Sequence, residues 1–382
     1  MAYDKVVDSA SLDSKLTQVA DAIRTKGNTS ADLQFPSGFI SAIQAIQTGT
    51  ELQIIVTVTS GATVTATKGS KVVSGTSVNG TCTLTVPEAG TWSVKATLNG
   101  QTSDTKSVTF TDRYAVTFSF VSDVLNNNDW ATIKEVSDNG EGANYWSVGD
   151  RKEITLNGTV GHLTLSNYTT YAFIIGFNHN QELEGTNRIH FQLAKIALSG
   201  GTDVCFCDSS YLSKVSGSGF FAMNSNATNY GGWETAKMRF DICGTNLSSY
   251  SGTMLAVIPA ELRAILKSVA KYTDNAAFGS GSSESNITAT TDYFFLPSEY
   301  EVFGSISSAN SYEASKQAQY AYYSAGNSKI KYKHNETSTA ANWWLRSPCA
   351  NETADFVFVG ATGVSNFVPA TYSLGFAPGF CV

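Results

Sequence analysis

The sequence predicts a mixed α+β protein, and three observations support this prediction. The first 48 residues carry apolar side chains at helical spacing, and residues 51–111 alternate apolar with polar side chains. Beyond residue 130, short strand-like segments alternate with loops rich in Gly, Ser and Asn. Only 15% of the 382 residues are charged and 12% are aromatic, against about 25% charged in ordinary domains. This composition favours β-structure and contact surfaces.

The same composition excludes several classes of protein. A chain with a net charge of −7 lacks the cluster of basic residues that phosphate binding requires, so nucleic-acid binding is not expected. Because 42% of the residues are hydrophobic, the chain can bury a core, which excludes disorder. No stretch of 18 apolar residues exists and the first residues lack a secretory pattern, so neither membrane insertion nor a signal peptide is expected. No metal or other cofactor is predicted, because the C-x-C pair has no second pair and no nearby His. We expect buried free thiols at all six cysteines, which are Cys82, Cys205, Cys207, Cys243, Cys349 and Cys381.

Residues 1–49 are predicted to form a helical module. Leu12, Leu16, Val19 and Ile23 recur at helical spacing, and the helix should end at Lys26 and Gly27. A second short helix should start at Pro36 and place Phe39, Ile40, Ile43 and Ile46 on one face. Two such helices cannot form a large core alone, so the module is expected to attach to a partner or to oligomerise.

Residues 50–112 are predicted to form a small immunoglobulin-like β-sandwich. Period-2 segments around Val56, Val64, Leu84, Val94 and Val108 are separated by turns such as Asn79-Gly80 and Asn99-Gly100. A sandwich of this size suits a spacer.

Residues 113–382 are predicted to form one α+β domain. Its strand-like segments include 171–177, 189–196 and 356–359, and an amphipathic helix is expected from Pro259 to Ala270. A weaker helical stretch lies around Ser311–Tyr323.

Several motifs of this third domain resemble those of a known family. Asn342-Trp-Trp-Leu-Arg-Ser-Pro348, followed by Gly363 and Gly375-Phe-Ala-Pro-Gly-Phe380, resembles the WWLRSP…G…GVRP pattern of C-type lectin-like domains in phage and bacterial proteins. Further matches are Tyr145–Asp150, Gly176–Asn180 and Leu296–Gly304, in the expected order. The chain departs from the pattern at Phe376-Ala377-Pro378, which stands in place of V-R-P.

The resemblance implies a C-type lectin-like fold used for display. Some phage receptor-binding proteins with this fold are diversified by a retroelement that mutates adenines in a C-terminal repeat. It implies a phage-tail protein located in the virion tail, with a host cell-surface protein or glycan and other tail proteins as partners. A homotrimer is expected by analogy with such tail proteins.

The C-terminal composition offers a check on diversification. Adenine mutagenesis of Asn-type codons cannot produce Lys, Glu, Gln, Met or Trp, and residues 353–382 contain none of them. These types make up 53 of the 382 residues, so thirty consecutive residues without them would arise about once in a hundred random draws. An apolar C-terminal sheet would also lack Lys, Glu and Gln, so both explanations stay open.

The C-terminal segment is predicted to combine an apolar framework with an exposed contact surface. Small polar residues with Tyr and Phe suit such a surface, because aromatic side chains give contact area at low entropy cost. Two adjacent Trp on a strand face opposite sides, so one should be in the core and the other at most half exposed; Arg346 should tie down a loop. The predicted ligand-binding residues are Trp344, Cys349, Ala350, Asn351, Thr353, Asp355, Ser365, Asn366, Phe367, Thr371, Tyr372 and Ser373.

Enzyme motifs are scarce, so the sequence predicts a binding protein. There is no G-x-S-x-G elbow and no P-loop, and the four His are scattered. The tripeptides for calcium-dependent sugar binding are missing, which leaves calcium-free aromatic stacking on sugars open. The alternatives are a cell-wall glycan enzyme that uses Glu299 and Glu301 as an acid/base pair on one face of a strand, or a purely structural tail component.

Overall fold

The computed structural model describes residues 9–27, 30–45, 52–98, 101–103, 105–110, 114–117, 121–277, 279 and 281–382. The chain divides into two compact units, residues 1–120 and 121–382. The mixed α+β class is confirmed. None of the helices in these described ranges is long and apolar enough to cross a membrane.

The two predicted N-terminal helices are present as α1 (Ser9–Gly27) and α2 (Ser37–Ala45). Ala20, Ile23 and Phe39 are buried between them. Ile40 and Ile43, which were expected on the same face as Phe39, are exposed, and Ile46 lies outside the described residues.

The described part of the first unit beyond α2 forms eight strands. They are β1 (Gln53–Thr57), β2 (Thr63–Lys68), β3 (Lys71–Thr76), β4 (Thr81–Thr85), β5 (Gly90–Leu98), β6 (Gln101–Thr102), β7 (Lys106–Phe110) and β8 (Tyr114–Thr117). One sheet has the order β4-β1-β8, and the other has the order β3-β2-β5 with both β6 and β7 on β5. Strand β8 pairs with β1, so this sheet continues past residue 112.

The period-2 pattern of this region is confirmed, and its inward side chains form one apolar core shared by both sheets. Ile54 and Leu84 come from the first sheet, and Val64, Trp92 and Val94 come from the second. Alternation along β1, β2, β4 and β5 buries these side chains and leaves mostly Thr, Ser and Lys outside.

The described residues of the second unit form thirteen strands. They are β9 (Arg151–Val160), β10 (Leu163–Phe177), β11 (Ile189–Lys195), β12 (Val204–Cys205), β13 (Val269–Asp274), β14 (Ile287–Asp292), β15 (Phe294–Phe295), β16 (Lys331–Lys333), β17 (Glu336–Ala341), β18 (Trp343–Pro348), β19 (Asp355–Val359), β20 (Ser365–Pro369) and β21 (Gly379–Cys381). Its central antiparallel sheet has the order β15-β21-β11-β10-β9. Smaller sheets are β12-β16-β17, β13-β14 and β18-β19-β20.

Short helices connect these strands. They are α3 (Trp130–Asp138), α4 (Gly142–Tyr145), α5 (Gln181–Glu184), α6 (Gly232–Thr235), α7 (Met254–Val257), α8 (Ala260–Arg263), α9 (Glu299–Phe303) and α10 (Ala321–Ser324). Single turns of 3-10 helix span Leu125–Asn127, Glu284–Asn286 and Ser311–Ser315, and a π-helix spans Met238–Cys243.

Two of the predicted elements differ from the structure. The helix expected from Pro259 to Ala270 ends at Arg263, and Val269 begins strand β13, because pairing with β14 overrides the local helical pattern. The stretch Ser311–Tyr323 is also no single helix, since only its two ends are helical.

Candidate binding surface

The predicted contact residues lie on and around one small sheet. Strands β18, β19 and β20 pair antiparallel, with β20 at the edge. Every residue of β18 is buried, and so are Phe356 to Val359 of β19. The outer strand therefore packs on two strands whose side chains are almost all buried.

Strand β20 carries the most exposed side chains of this sheet. Asn366 is exposed, and Phe367 is 41% exposed although it lies opposite the fully buried Val357. Ser365, at the start of the strand, is half-buried and donates its hydroxyl proton to Glu299 Oε1 over 2.6 Å. An aromatic ring left in solvent beside amide and hydroxyl groups is typical of a contact surface.

The buried side-chain amide of Asn229 contacts three carbonyl oxygens of the loop from Cys349 to Asp355. Asn229 Nδ2 lies 3.0 Å from the Cys349 carbonyl oxygen, 2.6 Å from that of Glu352 and 3.1 Å from that of Asp355. The loop tip, with Asn351 and Thr353, is exposed. The loop backbone is thus hydrogen-bonded while the side chains of residues 351–353 face solvent.

The turn after β20 is held in a similar way. Ser373 Oγ donates to Asp208 Oδ1 over 2.7 Å, and the Lys214 ammonium lies 5.5 Å from the centre of the Tyr372 ring. Thr371 and Tyr372 are half-buried. The backbone N–H of Ala370 donates to the Ala354 carbonyl over 2.8 Å, which joins this turn to the loop before β19.

The structure brings eight of the twelve predicted residues to this surface. They are Asn351, Thr353, Asp355, Ser365, Asn366, Phe367, Thr371 and Tyr372. Val364 is 56% exposed in the turn before β20 and adds to the surface.

The other four predicted residues are buried and cannot touch a macromolecular ligand in this conformation. Trp344 is fully buried and its indole N–H donates to the Phe221 carbonyl, because both faces of β18 are covered. Trp343 is fully buried as well, which agrees with the expectation of one Trp in the core and the other at most half exposed. Cys349, Ala350 and Ser373 are also buried, since each is at the anchored end of its loop.

Below the surface, Arg346 is the centre of a buried polar network. Its guanidinium forms a bidentate ion pair with Glu301, and it donates to the carbonyls of Leu296 and Tyr272. Its Nε donates to Thr273 Oγ1 over 2.8 Å. The prediction that Arg346 ties down a loop through carboxylate and carbonyl groups is confirmed.

A second cation, Lys271, extends this network. Its Nζ lies 2.8 Å from Glu184 Oε2, 3.0 Å from Glu301 Oε1 and 2.7 Å from the Tyr320 hydroxyl. Burial raises the pKa of Glu301, but the guanidinium of Arg346 and the ammonium of Lys271 outweigh it and hold that pKa well below its usual value. Burial raises the pKa of Glu184 to about 7, although Lys271 opposes the shift.

His179, Glu184 and Glu301 together resemble a cation site. His179 Nε2 lies 3.9 Å from both carboxylates and has no hydrogen-bond partner among the described residues. Burial and then Lys271 lower the pKa of His179 to about 3. Two carboxylates already face two buried cations, so a divalent ion here would leave an uncompensated buried charge. The donor set therefore fits the Lys271 ammonium better than a metal.

The two carboxylates of the enzyme alternative have structural partners. Glu299 and Glu301 lie on helix α9 and not on a strand, because Ser298 and Glu301 form a capping box at its start. Both are fully buried. Glu299 accepts hydrogen bonds from the backbone N–H groups of Ser308 and Ala309 and from two serine hydroxyls. This arrangement does not favour an acid/base pair.

Sequence reasoning missed Lys271, Glu184 and Asn229. A signal for Lys271 exists: Val269, Lys271 and Thr273 alternate inward on β13, which puts a cation on the buried face of a strand. The assignment of Val269 and Ala270 to a helix concealed this pattern. Nothing in the sequence links Asn229 to a loop 120 residues away.

The fold and the surface define an α+β protein with a rigid, charge-stabilised framework beneath an exposed edge strand. Residues 225–382 match a protein family described as "Domain of unknown function (DUF6273)". That range includes the whole contact surface, Lys271, Glu301 and Arg346, but not Glu184 or His179. No curated protein and no solved structure matches the chain.

All six cysteines are buried, as predicted. Cys205 and Cys207 have their Sγ atoms 4.0 Å apart. Burial raises the pKa of Cys381 to about 12. These thiols belong to the core and not to the contact surface.

Proposed function

We propose that this chain is a host-recognition protein of a phage tail that binds a cell-surface protein or glycan through the surface around β20. Binding is non-covalent and involves no chemical step. The observation that carries the proposal is the division of the C-terminal segment into two sets of residues. Its buried residues form a locked framework, and its exposed residues are small, polar or aromatic and lie side by side on β20 and two anchored loops.

The composition of the segment is compatible with retroelement diversification. Of the 30 residues from Thr353 to Val382, 16 are buried and 14 are at least partly exposed. The exposed fourteen also lack Lys, Glu, Gln, Met and Trp. At the frequency of these types in the whole chain, this would arise roughly once in eight random draws. Burial thus accounts for part of the bias, and the remainder is what diversification would leave. A neighbouring reverse-transcriptase gene and an adenine-rich near-copy of the codons for 344–382 would support it.

The proposal assigns a role to each region. Residues 121–382 form a C-type lectin-like display domain, supported by the framework-and-surface division and by the WWLRSP motif at its centre. The two sheets of residues 53–117 act as an immunoglobulin-like spacer, supported by their shared core. The α1–α2 module attaches to the tail or forms a homotrimer, supported by the exposed Ile40 and Ile43.

The test is binding of the full chain to purified cell envelopes from a panel of gut bacteria, measured by biolayer interferometry. We expect binding to a subset of the envelopes. The triple variant Asn366→Ala, Phe367→Ala, Tyr372→Ala should weaken that binding at least tenfold, since aromatic anchors dominate recognition surfaces.

A matched control is available in the same unit. Phe240 and Tyr312 are each 43% exposed, close to the 41% of Phe367. Asn246 is exposed and accepts a hydrogen bond from a nearby backbone N–H through its Oδ1, as Asn366 does. The triple variant Asn246→Ala, Phe240→Ala, Tyr312→Ala should bind like the wild type. Equal losses in both triples would contradict the assigned surface. Binding to tail proteins and to no envelope would favour a structural tail component.

A further inference from the structure

A small pocket opens beside the first residue of β20. Its volume is about 350 Å³, and its lining includes Glu299, Phe303, Ser307, Lys329, Val364 and Ser365. The Glu299 carboxylate already accepts four hydrogen bonds from two serine hydroxyls and two backbone N–H groups. Pockets for small molecules span roughly 300–1,000 Å³, so this one suits a single small unit. It adjoins the proposed contact surface through Ser365.

The polar wall of this pocket is held rigidly. The hydroxyls of Ser307 and Ser365 both donate to Glu299 Oε1, over 2.7 and 2.6 Å. Glu299 Oε2 is fixed in turn by the backbone N–H groups of Ser308 and Ala309. Since each serine proton is committed to Glu299, the remaining lone pairs can accept hydrogen bonds from a ligand's hydroxyl groups.

Lys329 contributes a positive charge to the pocket. This half-buried side chain lines the pocket, and its Nζ lies 5.6 Å from the centre of the Phe303 ring. No carboxylate oxygen of the described residues lies within 4.0 Å of that Nζ, whereas Lys333 nearby in sequence pairs with Glu336. The ammonium is therefore available to an anionic group of a ligand.

Apolar groups complete the lining. Phe303 is half-buried and Val364 is 56% exposed. A pyranose ring offers C–H groups to such side chains while its hydroxyls reach polar partners. Hydroxyl acceptors, one unpaired cation and a small apolar area together match a sugar that carries a carboxylate.

We propose that this pocket binds one acidic sugar unit of a cell-surface glycan. The inference rests on the proposed function, because it names the chemical class that the same surface would recognise. Lys329 contacts the carboxylate, Ser307 and Ser365 accept from ring hydroxyls, and Val364 packs on the ring.

The test uses the full chain and three probes: methyl β-D-glucuronide, methyl β-D-glucoside and sodium acetate, titrated by NMR at low ionic strength. We expect the glucuronide to bind in the millimolar range and the glucoside to bind about threefold to fivefold more weakly, as one exposed ion pair allows. Acetate should bind more weakly than either sugar, because it lacks the hydroxyl and C–H contacts.

Two lysine variants test whether Lys329 causes the preference for the glucuronide. Lys329→Gln should reduce glucuronide binding to the level of the glucoside, and Lys237→Gln, at an exposed lysine elsewhere in the unit, should change nothing. Glucuronide binding that is absent, equal to acetate binding or unaffected by Lys329→Gln would overturn the inference. If the same samples still bind cell envelopes, the proposed function survives that failure; if glucuronide binds through Lys329 and no envelope does, the proposed function fails alone.

Discussion

The two units bury very different cores. In the β-sheets of residues 53–117, the buried cluster consists of aliphatic side chains, Cys82 and Trp92. In residues 121–382, the interior also contains four charged side chains: Lys271 pairs with Glu184 and Glu301, and Arg346 pairs with Glu301. The first kind of core follows from strand alternation, whereas the second depends on groups that meet only when the whole unit folds.

This difference bears on function. An apolar core gains stability in proportion to buried area and tolerates changes of shape. A buried ionic network is sensitive to mutation, since removal of one partner leaves a buried charge without compensation. Arg346 lies two residues after Trp344 on β18, so the network holds the sheet that carries the contact surface. We infer that the network fixes this sheet, so that the proposed diversification could change the exposed residues without changing the framework.

Arg346→Ala should cause the greatest loss of stability. It leaves the Glu301 carboxylate buried beside Lys271 alone, and we expect the free energy of unfolding of this unit to fall by about 3–5 kcal/mol. Chemical denaturation followed by tryptophan fluorescence would measure it. Lys134→Ala, at an exposed pair with Asp138, is the control and should cost under about 0.5 kcal/mol. An equally small loss for Arg346→Ala would show that the network is not structural.

Glu313 should make the free energy of unfolding of the second unit depend on pH, and no such effect is expected for the apolar core of the first unit. Burial raises its pKa to about 7 in the folded chain from a usual value of 4.5. The folded state then binds more protons than the unfolded state between these two pH values, so its contribution to stability is lost as pH rises from 4.5 through 7. The expected loss is about 3 kcal/mol.

Glu313→Gln isolates this contribution, because the amide stays neutral at every pH. Between pH 5 and pH 8, the wild type should lose stability relative to this variant. Parallel pH profiles of the two proteins in urea denaturation would contradict the assignment.

Substitution of Asn229 tests whether the buried residues hold the loop of residues 349–355 in place. Asn229→Asp keeps the shape but removes the amide donor from three carbonyl oxygens of the loop, so we expect a loss of about 1–3 kcal/mol. Amide hydrogen exchange should rise in residues 349–355. Asn224→Asp is a comparison at another buried amide, which donates to the Thr228 carbonyl, and it should leave that loop protected. Unchanged exchange in the Asn229 variant would mean that the loop is held by other contacts.

Ile54→Val should have the mildest effect. It removes one methylene group from the apolar core of the first unit, for which about 0.5–1.5 kcal/mol is expected. The loss should be the same at pH 5 and pH 8, since no ionisable group except Cys82 belongs to that cluster. Thermal denaturation at both pH values would measure it, and a loss that varied with pH would contradict the contrast between the two cores.

The strands of the first unit could be predicted from the sequence more reliably than those of the second, in line with the difference between the two cores. Period-2 alternation around Val56, Val64 and Val94 was sufficient to predict the strands of the first unit, because each inward position is apolar. In the second unit, Val269 and Ala270 were assigned to a helix, since their true environment is set by pairing with β14. The proposed ligand-binding residues are exposed, as predicted, where they lie at a strand edge or loop tip, as with Asn366 and Asn351. They were predicted wrongly where a distant segment covers them, as Phe221 covers Trp344.

Hydroxyl-radical footprinting of the full chain, with and without a cell envelope to which it binds, tests the proposed surface most directly. Oxidation of Phe367 and Tyr372 should fall at least about threefold on binding, while oxidation of Phe240 and Tyr312 should stay unchanged. Protection of Phe240 and Tyr312 with continued oxidation of Phe367 and Tyr372 would contradict the proposal that the chain recognises its ligand through β20.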